Sequence, residues 1–346
     1  MTPELNSLMC NFESVFDSST KAEVTTLAGE MSTRRYYRIF VKTPTPHKKE
    51  KSAEIPSYVL QASDMFQDPH QHPFLLAQKI FDAIGIRVPK IIGTAGHEGW
   101  ILVEDCGDFF LQYRQEIDLY RQTIDMLLML QKKAKPENFS YDPLLSGALH
   151  WNWSFDFKKL DAEMLHCEKF FVNGLLKNNF SFSKAMAHNS NYLAQRPQVL
   201  CHRDFHSRNL MIKNEKVYAI DFQDARMGPA TYDLVSLLWD PYANLLDSLK
   251  KQLLHEWKEQ SNEEYLDGVD EEIERMKIQR LMKAIGSYSS FFLDRGNPAC
   301  LVFIEGALAD VITSFETLAE HNALVRDEKE LIKFLKNTYQ KTLRFS

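Results

Sequence analysis

The residues with most chemistry in them lie between positions 199 and 240. Val199-Leu200 is a short apolar run, followed by His202-Arg203-Asp204-Phe205-His206-Ser207-Arg208-Asn209. Two β-rich segments come next, ending in Val217-Tyr218-Ala219-Ile220 and then Asp221-Phe222. Such a set suits phosphoryl transfer, which needs positioning and charge neutralisation more than covalent help. An acceptor hydroxyl must be held in line with phosphorus and its proton taken up, and a loop carboxylate, Asp204, serves both needs. A hard octahedral cation such as Mg2+ takes oxygen ligands and keeps several waters. The amide oxygen of Asn209 and the carboxylate of Asp221 are of that type, and a hairpin between them would bring both to one metal.

His202, Asp204 and Asn209 match the kinase catalytic-loop pattern H-R-D-x-x-x-x-N. A His-x-Asp alone is weak. The loop, the hairpin-length gap and the apolar strand ending in Asp221-Phe222 together are far more specific, against the alternative of a polar loop with solvated charges. Protein kinases carry a long activation segment after the metal Asp. Here Tyr232-Asp233-Leu234 follows Asp221 within a dozen residues, which leaves no platform for a peptide and points to a small-molecule acceptor.

HRDFHSRNLM with AIDFQDARMGPATYDLVSLL resembles the aminoglycoside phosphotransferase-like superfamily, and within it the bacterial anomeric sugar kinases that phosphorylate N-acetylmuramate and N-acetylglucosamine at C1. The resemblance extends upstream through Ser32–Arg38, Gly85–Ile91 and Leu102–Asp108, covering roughly residues 25–240. It implies an α+β, protein-kinase-like two-lobed fold using ATP and Mg2+, with Asp204 as base and Asn209 and Asp221 as metal ligands. His202 and Asp233 become structural, Asp233 bracing the loop through backbone hydrogen bonds. The Glu104–Cys106 segment would hold adenine through its backbone. Gln223 and Asp224 either face the acceptor or turn outward as structural residues. Glu163, in Ala162-Glu163-Met164-Leu165, is a candidate sugar contact whose alternative is a solvated helix face. His206 touches the acceptor or packs, and Trp239 and Asp240 are open.

Two departures stand out. No Gly-rich G-x-G-x-x-G loop is present, so backbone amides and the hydroxyls of Ser32 and Thr33 have to meet phosphate. Arg34 or Arg35 adds charge there or is an ordinary exposed strand residue. The strand Tyr58–Ala62 has no Lys where kinases hold the α/β-phosphates; Gln61 stands nearest that position, and the helix 74–84 offers no Glu partner. This absence motivates one further reading, a nucleotide-binding module without activity, which the joint presence of Asp204, Asn209 and Asp221 opposes. An amine-bearing acceptor of the aminoglycoside or choline type is the other alternative; it predicts acidic residues around the acceptor, where a sugar needs neutral polar groups and aromatics. Trp151, Trp153, Phe155 and Phe157 either stack on a sugar ring or pack in the core.

The elements that must position these residues follow from periodicity. Residues 4–16 read as a helix. Strands are expected at 22–27, 36–41, 58–62, 88–92 and 100–103, with a solvated loop over 43–56 and a helix over 73–84 that ends at Gly85. Beyond Cys106-Gly107-Asp108 the pattern turns helical: 113–133, 161–176, 182–194 and nearly all of 244–343, with a break at Pro298. Residues 1–105 thus form a small β-rich N-lobe with a leading helix, and 106–346 a large, mostly helical C-lobe.

The chain has 346 residues, 44% apolar and 25% charged, with net charge -6. That balance argues against a nucleic-acid coating protein, which needs excess Lys and Arg. Five scattered cysteines without a CxxC pair argue against a disulfide framework or zinc site and fit a reducing cytoplasm. The first residues have no basic start or apolar run, so no signal peptide is expected. No run of 18 apolar residues occurs, so no membrane span is expected.

Overall fold

The computed structural model describes Phe12, residues 21–27, 35–42 and 56–342. Apart from Phe12, the expected helix over 4–16 lies outside the described residues, as do the loop 43–55 and the positions Ser32, Thr33 and Arg34.

Five antiparallel strands form one sheet in the order β1-β2-β3-β5-β4. They are β1 (Lys21–Leu27), β2 (Arg35–Lys42), β3 (Ser57–Ala62), β4 (Ile91–Ala95) and β5 (Trp100–Glu104). Tyr, Ile, Val and Phe dominate β2 and β3, as a pleated half-buried surface favours. Alternation gives the sheet two faces. Ile39, Leu60 and Leu102 join Phe12 and Ala95 in a small outer core. Val59, Ile101 and Val103 face the other way, into the main core of the molecule.

Helix α1 (Pro73–Ile84) crosses that inner face. Pro73 suits its first turn, and Gly85 ends it at φ 96°, a left-handed conformation that glycine adopts without a Cβ clash. Strand β4 starts three residues later than the periodicity implies. Residues 87 and 88 are spent elsewhere: Val88 is buried in the main core and the Arg87 carbonyl accepts the Ala219 N–H at 2.9 Å. Pro89 has no N–H for a ladder, so the strand begins after it and runs through Gly93, where an added Cβ would lie 2.9 Å from Phe12.

Past the sheet come α2 (Ile117–Lys133), the short α3 (Pro143–Ser146), α4 (Phe157–Cys167) with a π-helical continuation Glu168–Leu175, and α5 (Ser183–Ala194). Strands β6 (Gln198–Cys201) and β9 (Arg226–Pro229) pair antiparallel and enclose the hairpin β7 (Leu210–Lys213) and β8 (Lys216–Ala219). Helices α6 (Thr231–Leu238), α7 (Asp247–Gln260), α8 (Val269–Arg295), α9 (Val302–Glu320) and α10 (Arg326–Thr342) complete the chain. The fold is α+β and protein-kinase-like, a small sheet followed by a mostly helical remainder. A second apolar core lies between α8, α9 and α10. Pro298–Glu320 is long and apolar enough to cross a membrane by length and composition, among the described residues. Glu305, Asp310 and Glu316 interrupt it, and Ile304, Leu308, Val311 and Phe315 are buried in the second core.

Candidate active site

The loop 202–209 leaves β6 through a backbone that most residues avoid: Arg203 has φ 86°. Two buried carboxylates hold it there. Asp233 of α6 accepts the His202 N–H at 2.5 Å and the Arg203 N–H at 3.0 Å. At the far end, Asp240 accepts the Ser207 N–H at 2.8 Å, the Ser207 hydroxyl, and the Tyr242 N–H at 2.9 Å. Burial pushes the Asp233 carboxyl up to about 7 against the two N–H donors that favour its charge. The His202 ring donates through Nε2 to the Ile220 carbonyl at 2.9 Å and packs among Phe81, Phe205 and Phe222. Burial lowers it to about 4, so it is neutral at pH 7.

Asp204 points out of this braced loop, with its side chain 23% exposed. Lys283 Nζ of α8 donates to its Oδ1 at 2.8 Å. Arg280 of the same helix approaches Oδ1 at 3.8 Å, and Arg203 approaches Oδ2 at 3.8 Å. Burial would raise the carboxyl, but Lys283, Arg203 and Arg280 outweigh it and hold it well below the usual carboxylate range.

Asn209 and Asp221 stand at the open end of the β7–β8 hairpin. Leu210 pairs with Ala219, and the Ile220 N–H donates to the Asn209 carbonyl at 2.9 Å. Asn209 Nδ2 donates to the Asp204 carbonyl at 2.9 Å, which fixes the amide and turns Oδ1 away from the loop. Asp221 has φ 64°, and its Oδ1 accepts from Gln223 Nε2 at 2.9 Å. One amide oxygen and one carboxylate are the hard oxygen donors that would suit magnesium. No cluster of three or more His, Cys, Asp or Glu side chains able to hold a metal occurs among the described residues.

A charged shell surrounds this centre. Asp224 pairs with Arg203 at 2.9 Å, and Arg226 lies over the rings of Trp153 and Phe155. Arg280 donates to the Tyr232 hydroxyl at 2.9 Å. Glu163, on α4, is buried rather than on a solvated face; its Oε2 accepts from Gln279 of α8 at 3.4 Å, and its Oε1 has no hydrogen-bond partner among the described residues. Gln223 turns back onto Asp221 instead of projecting away from the loop. The His206 ring meets Tyr242 edge-on and lies 3.5 Å from Asn209 Nδ2; burial lowers it to about 3. Of the aromatic cluster, Phe155 stacks on Tyr232 in the core and Trp151 donates to the Leu145 carbonyl at 2.7 Å. Trp153 is half-buried beside His150 and Arg226.

The sheet side is arranged differently. Gln61 is buried on β3 in register with Tyr36 and Ile101, on the inner face. Arg38 occupies the same face of β2, and its guanidinium joins Asp105 and Asp108, each at 2.7 Å. Glu104 pairs with Lys213 at 2.8 Å, and Lys213 also donates to the Asp105 carbonyl at 2.8 Å. Cys106 is buried between them. Arg35 is exposed at the start of β2.

The structure therefore gathers Asp204, His206, Asn209, Asp221, Gln223, Asp224 and Glu163 around one centre, while Gln61, Glu104 and Cys106 line the inner sheet and its exit. Sequence reasoning missed Lys283 and Arg280. Both sit mid-helix in a charged stretch 76–79 positions from Asp204, with no motif to mark them.

Residues 143–269 match the model of the phosphotransferase enzyme family. An N-acetylmuramate/N-acetylglucosamine kinase of Neisseria meningitidis serogroup B is 27% identical over 244 residues, 65% of this chain and 69% of that one. A protein of the same description from Pseudomonas aeruginosa is 25% identical over 250 residues, 66% of this chain and 69% of its own. In structure, an ethanolamine kinase of Plasmodium vivax superposes with a TM-score of 0.58 at 13% identity, over 90% of this chain and 88% of the other. That last likeness shows the fold alone. The loop and hairpin lie within the region that matches this family, and the chain is a small-molecule kinase.

Proposed function

We propose that this kinase moves the γ-phosphoryl group of ATP to the anomeric hydroxyl of an amino sugar, N-acetylmuramate or N-acetylglucosamine. Asp204 is the base in this reading. The acceptor oxygen bonds to phosphorus, the bond from phosphorus to the β,γ-bridging oxygen breaks, and ADP leaves with the electron pair. The acceptor proton passes to Asp204. Asn209 and Asp221 would hold magnesium, which when bound supplies positive charge to the phosphate oxygens. Asp233 and Asp240 keep the loop in place, and Gln223 orients Asp221.

The observation that carries the acceptor class is the set of cations at Asp204. Lys283, Arg280 and Arg203 leave it a weak base. A weak base serves best where the hydroxyl is comparatively acidic, and a hemiacetal hydroxyl is more acidic than an ordinary alcohol. With Arg226, these cations equal in number the carboxylates Asp204, Asp221, Asp224 and Glu163, so the centre lacks the acidic excess that a cationic amine acceptor favours. The relatives named for these two sugars support the same choice.

Purified protein with Mg-ATP and a panel of hexoses, N-acetylated amino sugars and aminoglycosides, read by phosphorus NMR, tests the proposal. An anomeric phosphate resonance is expected, with Asp204→Asn slowing its appearance by about 10²–10⁴-fold at wild-type melting temperature. A phosphomonoester at another carbon, or product only from aminoglycosides, overturns the anomeric assignment. An unslowed Asp204→Asn overturns the base.

A further inference from the structure

Phosphoryl transfer needs cations around the transferring group, and the described side chains on the inner face of this sheet supply few. Gln61 is neutral where a strand lysine would stand. Arg38, on the same face, is committed to Asp105 and Asp108 and to the Gly107 carbonyl at 2.9 Å. On the C-lobe side, however, Lys283 brings an ammonium to within 2.8 Å of Asp204 Oδ1. A hydroxyl bonded to that carboxylate on its Lys283 side would place its in-line phosphorus within reach of that nitrogen. Of its three N–H donors, the described residues engage one. The side chain is 21% exposed.

Neutralising Asp204 does not by itself require Lys283, because Arg280 and Arg203 already flank the two carboxylate oxygens at 3.8 Å. A third cation on a base weakens that base. It becomes useful when negative charge moves onto the transferring oxygens. We propose that Lys283 is a catalytic residue whose ammonium contacts the equatorial oxygens of the transferring phosphoryl group, providing from helix α8 the charge that strand β3 does not. Lys283 makes and breaks no covalent bond in this role. Helix α8 gives it a rigid base: buried Arg275, two turns away, is fixed to Glu328 at 2.9 Å, and Gln279 donates to the Leu160 carbonyl at 3.0 Å. The proposal rests on the kinase reading and not on which sugar is the acceptor.

The test separates ground state from transition state. Lys283→Met removes the charge, and Lys283→Gln removes it while keeping a donor for Asp204. Calorimetry would measure binding of Mg-ADP alone, and of Mg-ADP with aluminium fluoride and N-acetylmuramate, or whichever sugar of the panel the wild type turns over. Failure of the acceptor assignment and failure of this proposal are therefore separate results. Both variants are expected to bind Mg-ADP within about twofold of wild type, to bind the aluminium fluoride complex at least about 10²-fold more weakly, and to lose about 10²–10³-fold in kcat. Loss of equal size in both complexes, or wild-type kcat in Lys283→Gln, overturns it and leaves Lys283 a structural ion pair.

Discussion

Carboxylates and imidazoles in this site hold their charge states through their surroundings, and three histidines, His150, His202 and His206, do so by burial. His150 is fully buried, its Nε2 donates to the Gln223 carbonyl at 3.3 Å, and burial lowers it from 6.5 to about 4. The sign follows from linkage. Between those two values the unfolded chain takes up a proton that the folded chain refuses, so His150 stabilises the fold above pH 6.5 and that stability drains away as pH falls toward 4. The full effect is about 3 kcal/mol. His202 acts the same way, whereas Asp233, raised to about 7 by burial, retains a proton in the folded state and opposes them. His150→Gln keeps a donor for the carbonyl without the titration. Unfolding of that variant at pH 5.5 should take up about one proton fewer than wild type, seen as a flatter dependence of Tm on pH between 4.5 and 6.5. An unchanged slope would mean that His150 is charged in the fold.

At the scale of elements, the site depends on how closely α8 approaches α4. Gly286 is the contact: an added Cβ would sit 2.7 Å from Cys167 Cα and 3.1 Å from its nitrogen, main-chain atoms that cannot swing aside. Lys283 lies one turn before it. Gly286→Ala should cost about 1–3 kcal/mol in overpacking, seen in denaturant titration. It should also lower kcat by about 10–100-fold as α8 shifts from Asp204. Wild-type kcat in a destabilised variant would uncouple the helix contact from the site. The legibility of elements follows from the same physics. Helix α1 was readable to the residue because Pro73 and Gly85 punctuate it. The loop and hairpin were readable because their chemistry fixes residue types at short spacing. The onset of β4 was not, since the Arg87 carbonyl is claimed by a C-lobe strand no local pattern reveals. Nor was the π-helical stretch Glu168–Leu175, whose apolar spacing reads as an ordinary helix. Lys283 and Arg280 had no signal, because packing alone brings α8 to the loop.

Across the whole molecule, the inner face of the sheet is tied to its exit by charge. Arg38 on β2 grips Asp105 and Asp108, and Lys213 on β7 grips Glu104 and the Asp105 carbonyl. Asp105 is buried, so removing its partner leaves an uncompensated charge. Arg38→Met should cost about 3 kcal/mol by thermal or denaturant unfolding and raise KM for ATP with little change in kcat. A lower kcat at constant KM would place Arg38 in the chemistry instead. The long span between Asp204 and Lys283 also has a consequence for how the molecule comes into being. The matched family region closes at residue 269, where α8 begins, so a nascent chain of that length already holds the loop, the hairpin and Arg203 but lacks Lys283 and Arg280, the two counterions of Asp204 that α8 supplies. Until the next few turns leave the ribosome and dock, the carboxylate stays in water. Synthesis thus sets an order of assembly in which Asp204 is made before the helix that supplies Lys283 and Arg280.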